Sequence, residues 1–123
     1  MHTDTAPEEL RRRRDDLQRQ LAEIGDFRPG SLRAFYRKCG KPGCHCAAEG
    51  APGHGPGWVI SRRAGGKTAN RGIPADAVEE TQALVAEHRR FRRLVKDLTE
   101  ANEALCQARL EAHIETGKNR PAR

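Results

Sequence analysis

At 123 residues, with 36% hydrophobic and 4% aromatic side chains, the chain is long enough for one domain but can bury only a thin core. A staple such as a metal, a disulfide or a partner subunit is therefore expected. It has no run of about 18 apolar residues to cross a bilayer, and its start, MHTDTAPEEL, lacks the basic-then-apolar order of a secretory signal. The expected location is thus the cytoplasm, where thiols stay reduced and clustered cysteines hold metal more often than they form disulfides. The formal net charge of +6 is unevenly distributed. Residues 1–27 carry net −2 and residues 75–123 net 0, whereas residues 28–74 carry nine basic side chains against the single acid Glu49, net +8. A solubilising surface has no reason to segregate charge in this way, but a polyanion-binding face does.

The first of four expected regions, residues 1–27, is a helix. Leu10, Arg14, Leu17, Leu21 and Ile24 recur at steps of 4, 3, 4 and 3, one stripe of a helix from about Pro7 to Gly25. Pro7 suits a first turn and Glu8-Glu9 the positive end of the helix dipole, while Gly25 supplies a stop. The run Arg11 to Arg14 straddles the stripe; it forms either a solvated face or a phosphate contact.

Residues 28–74 form a basic Cys/His module. Cys39, Cys44, Cys46 and His54 are spaced C-x4-C-x-C-x7-H among glycines and prolines. Soft donors in a loop able to fold back on itself suit tetrahedral zinc. These four are the expected ligands of a structural Zn2+, and a metal-free cluster of reduced thiols is the alternative. His45, between two ligands, should point away from them. With Glu49 as the only nearby acid, a catalytic metal would lack its base, so a closed site is expected. Cys106 is expected to pack beside a helix seam as a small apolar residue. Residues 58–63 and 67–73 read as two short strands joined around Ala64-Gly65-Gly66, a hairpin signal.

In the third region, 75–116, Thr81, Leu84, His88, Phe91, Val95, Leu98, Asn102, Leu105, Arg109 and Ala112 alternate steps of 3 and 4. This heptad seam predicts a helix from about Ala75 to Thr116 that buries it on the N-terminal helix or on a second copy. Because the N-terminal helix spans less than half of it, a homodimer through residues 81–112 is expected. Residues 117–123 form the fourth region, a disordered tail. The fold class is α+β and mainly helical: an N-terminal helix, a cysteine-rich, zinc-knuckle-like loop with a short β-hairpin, and a long C-terminal helix of coiled-coil character.

Nucleic acid, DNA above all, is the expected partner. Arg33, Arg37, Lys38 and Lys41 flank the cysteines and Arg62, Arg63, Lys67 and Arg71 lie on the hairpin, so a metal knot would hold them as a cationic face. Phe35, Tyr36 and Trp58 lie among them, available for base stacking or for the core. There is no phosphate-cradling glycine loop with its lysine, no acidic metal cluster and no Ser/His/Asp arrangement; the chain is not expected to be an enzyme.

The run Arg28-Pro29-Gly30-Ser31-Leu32, then Tyr36 through Cys46, His54-Gly55-Pro56, Gly65-Gly66-Lys67-Thr68, Pro74 and Arg89-Arg90-Phe91 resembles a family of small bacterial and archaeal proteins. That family is built on a domain of unknown function, and its members accompany transposable elements. The resemblance covers roughly residues 28–105. It implies a link to mobile DNA and supplies no activity; the aromatics usual after His-Gly-Pro are reduced here to Trp58. The expected role is an accessory or regulatory factor for transposition, recombination or transcription. A helical adaptor for a recombinase or transposase and an RNA-binding module are the alternatives.

Overall fold

The structure is a computed structural model that describes residues 6–118. The elements run α1 (Pro7–Ala22), β1 (Ser31–Arg37), a 3-10 turn (His45–Ala47), β2 (His54–Ala64), β3 (Lys67–Ile73), a second 3-10 turn (Ala75–Ala77) and α2 (Val78–Lys118). This is the expected α+β arrangement of an N-terminal helix, a cysteine-rich loop beside a sheet, and a long C-terminal helix. The described residues form two compact units. One joins α1 and the residues through Gly25 with α2 from Arg90 onward, and the other is Asp26–Arg89.

In the first unit, Leu17 is 3% exposed and is buried with Leu94 and Ala101, while Leu21, Ile24 and Leu98 pack against this cluster. Full burial of a leucine such as Leu17 or Leu94 contributes about 1.5–3 kcal/mol by leaving water. The apolar stripe of α1 is the one expected, but the helix ends at Ala22, before Gly25. Glu23 stays in a right-handed conformation, its N–H donating to Gln20 O at 3.1 Å while the Ile24 N–H donates to Leu21 O at 3.2 Å. Gly25 therefore lies two residues beyond the C-cap, because the last turn closes on its own carbonyls.

The buried face of α2 differs from the expected seam. Leu94, Ala101 and Leu105 are buried, with Leu98 and Ala108 half-buried, whereas Val95 is 41% exposed and Arg109 is exposed. Leu98 and Leu105 belong to both patterns. Completing the stripe with Leu94, Ala101 and Ala108 leaves Arg109 exposed and Asn102 only half-buried, and the two alanines let another helix approach closely. Cys106 is exposed, not packed beside the seam. The helix also runs past the expected Thr116: Gly117 and Lys118 belong to it, and the rest of the expected tail lies outside the described residues.

The second unit holds a three-stranded antiparallel sheet, β1-β2-β3, where a two-stranded hairpin was expected. Gly65 and Gly66 make the β2–β3 turn with φ of 58° and 77°, the doubly positive backbone of the tight hairpin turn that follows the twist of the strands. A lone hairpin is marginal in water. Here β1 adds a third strand, with Leu32 opposite Ile60 and Ala34 opposite Trp58. On β3, Ile73 faces Trp58 and Arg71 faces Ile60. Ile60, 3% exposed, is the buried centre of the sheet, and Val85 and Thr81 are buried in the first turns of α2. The Arg28 N–H donates to Leu84 O at 3.1 Å, tying the approach to β1 to that helix.

Replacing Leu17 by Ala should lower the unfolding free energy in urea by about 2–4 kcal/mol. Val95→Ala, at an expected but exposed seam position, should change it by less than about 1 kcal/mol. Equal losses would contradict the observed packing.

Candidate metal centre

The β1–β2 ladder does the first part of the positioning. Its last pair is Arg37 with His54, beyond a register shift that follows Phe35. Cys39 comes two residues after Arg37, so the end of one strand and the start of the next bring the first and last donors of the sequence pattern together. The 3-10 turn His45–Ala47 supplies the middle: Ala47 N–H donates to Cys44 O at 3.0 Å and Ala48 N–H to His45 O at 3.3 Å. This turn swings Cys46 inward to 0% exposure. Cys44 N–H donates to Lys41 O at 3.1 Å, closing the Lys41–Cys44 loop.

The donor atoms of Cys39, Cys44, Cys46 and His54 all lie within 4.8 Å of one another. Cys39 Sγ is 3.4 Å from Cys46 Sγ, and Cys44 Sγ is 3.1 Å from His54 Nε2. An ion with bonds of about 2.3 Å to sulfur and 2.0 Å to nitrogen holds tetrahedral donors about 3.5–3.8 Å apart. The four donors are close enough for one ion to span, and the set could hold a metal. The Cys39 N–H also points at Cys46 Sγ, at 3.4 Å, the kind of outer contact that orients a sulfur ligand. All four cysteines are free thiols. The gathered set is the one read from the spacing. His45 stays outside it, with its Nδ1 3.9 Å from Cys44 Sγ and its ring edge-on to His54 at 5.4 Å.

The eight basic residues expected to meet nucleic acid are all exposed. None is ion-paired among the described residues. Lys38 Nζ donates to Ala48 O at 3.3 Å, across the cysteine loop, and Arg37 lies 6.0 Å from the Phe35 ring centre. The register divides the strand residues. Opposite neighbours share a face, so Arg62, Lys67 and Arg71 lie on the face of Ile60, and Arg33 and Arg63 lie on the other with Val59 and Thr68. The single cationic face expected from the sequence is thus a charged collar spread over both faces of the sheet. Of the aromatics, Tyr36 is 56% exposed while Phe35 and Trp58 are half-buried. Arg28, outside the expected binding set, is half-buried beside the sheet. Its sequence signals were its place at the head of the basic segment and of the run Arg28-Pro29-Gly30-Ser31-Leu32.

Protein purified without chelator should carry one metal ion per chain by native mass spectrometry, released on denaturation. Cys46→Ser should lose it, since no other thiol is buried in the set. Full occupancy in that variant would contradict the ligand assignment.

No curated protein and no solved structure matches the chain. Residues 7–83 match the model of a family described as Domain of unknown function (DUF6788), a span that takes in more than half of the chain and contains all three strands together with Cys39, Cys44, Cys46 and His54, and the chain belongs to that family.

Proposed function

We propose that this protein binds DNA through a zinc-stabilised basic module and catalyses no reaction of its own. The observation that carries the reading is the set of eight exposed arginines and lysines, none ion-paired among the described residues, on the unit that also holds the Cys3His cluster. An exposed cation without an acidic neighbour keeps its full attraction for phosphate, and each phosphate neutralised releases a counterion. Zinc is the ion we assign, because three thiolates and one imidazole form a set it takes in closed, structural sites. Tyr36 offers an exposed ring for base contact.

The biological setting we propose is an accessory or regulatory role in transposition, recombination or transcription, in keeping with the resemblance to proteins that accompany transposable elements. A homodimer through residues 81–112 would double the cationic surface. Leu110, with Ile114 just beyond, gives α2 exposed apolar side chains in that stretch. The same side chains favour the second reading, a helical adaptor that docks a recombinase or transposase.

Nucleic-acid-free protein should bind a short duplex in fluorescence anisotropy, with log K falling against log salt at a slope of about −3 or steeper. Duplex DNA should compete better than structured RNA. Absence of affinity at about 50 mM salt, a concentration at which phosphate contacts are strong, would contradict the proposal. Partner binding that survives charge reversal at Arg62, Arg63 and Arg71 would favour the adaptor.

A further inference from the structure

We infer that a cleft in the sheet unit, walled by Arg28, Arg62 and Arg71, seats a backbone phosphate of the bound nucleic acid; the inference rests on the nucleic-acid reading and names the place of contact. The cleft measures about 330 Å³, and Ile60, Pro29 and Asn70 complete its lining together with Ala69. No acidic residue lines it. None of the three arginines has a side-chain hydrogen bond or ion pair among the described residues. Three arginines lining one cleft bring like charges together, and such charges gain most from an anion placed between them.

The backbone fixes the spacing. Arg71 stands opposite Ile60 and Arg62 opposite Ala69, so the two arginines are diagonal neighbours on one face, about 7–8 Å apart at the backbone. Ala69 beside them is too small to fill the gap. Ile60 is 3% exposed and provides a dry floor, where charge is screened less than in water. The third arginine is held by its own segment. Pro29 fixes the backbone φ that follows it, and Arg28 N–H is bonded to Leu84 O at 3.1 Å. Gly30, at φ +139°, passes so close to the floor that a Cβ there would come 2.8 Å from Ile60 Cγ1. Only glycine lets the chain turn down over Ile60 and leave Arg28 at the rim. Planar forks suit a tetrahedral oxyanion, which several of them can grip at once. The exposed Arg33 and Arg63 on the opposite face do not line this cleft and act as controls of equal charge.

The test uses the full chain with two probes: a labelled DNA duplex, and inorganic phosphate followed through backbone amide NMR shifts. Arg28→Ala should weaken duplex binding about tenfold near 0.1 M salt and reduce the salt slope by about 0.9, the share of one phosphate contact. Arg28→Lys should recover only part of this, and Arg33→Ala should cost less. Phosphate should shift the amides of Arg28, Asn70 and Arg71 together. If the duplex binds and Arg28→Ala matches Arg33→Ala while phosphate shifts scatter over the surface, the cleft is overturned and the nucleic-acid reading stands. If the duplex fails to bind but phosphate still saturates these amides, the phosphate seat stands and the nucleic-acid reading falls. Failure of both probes overturns both. Unchanged amide dispersion in each variant separates loss of binding from loss of fold.

Discussion

Three thiols and an imidazole drawn within 4.8 Å of one another are the constraint from which the rest of the sheet unit follows. In Asp26–Arg89 the buried side chains are few: Cys46, Ile60, Val85 and Thr81. That is too little apolar area to offset the ordering of some sixty residues at roughly 1–2 kcal/mol of backbone entropy each. Bonds to a metal at the open end of the β1–β2 ladder would supply the missing free energy, since binding of structural zinc is coupled to folding. The ladder and the cluster are interdependent: Arg37 pairing with His54 delivers the outer donors, and the donors fix the end of the ladder.

The same economy explains the charge. A unit with so little core cannot bury cations, so its arginines and lysines lie exposed or, at Arg28, half-buried, and between residues 28 and 74 Glu49 is the only acid beside nine of them. Their mutual repulsion weakens the unit in isolation, so an anion bound among them would add stability. Ile60 links the two properties, because the residue that centres the sheet is also the floor beneath Arg28, Arg62 and Arg71.

The donor set was legible because ligand chemistry is local. Three cysteines within eight positions and one histidine beyond them leave few ways to surround an ion, and the glycines and prolines between them announce a loop. The Gly65-Gly66 turn was legible for the same reason. Strand β1 was not: Ser31–Arg37 is exposed at five of its seven positions, so it shows no clean alternation, and only its partner β2 makes it a strand. With β1 hidden, the place of Arg33 on the face opposite Ile60 was hidden too, although Arg62 and Arg63, adjacent on β2, were bound to point to opposite faces. On α2 the three-four rhythm was plain, yet Leu98 and Leu105 belong to two overlapping stripes. The choice between Val95, Asn102 and Arg109 on one side and Leu94, Ala101 and Ala108 on the other depended on the cost of burying polar groups. Arg28 stood outside the expected binding set because it lies in no regular element, and its place beside Ile60 follows from how Pro29 and Gly30 fold.

The central claim is that a metal held by Cys39, Cys44, Cys46 and His54 maintains the sheet that carries the charge. Amide hydrogen exchange on the full chain, with and without a strong chelator, tests it most directly. The account predicts that chelation removes protection from the amides of β1 and β2 while those of α2 between Leu94 and Leu105 keep theirs. Unchanged protection throughout the sheet after chelation would contradict it.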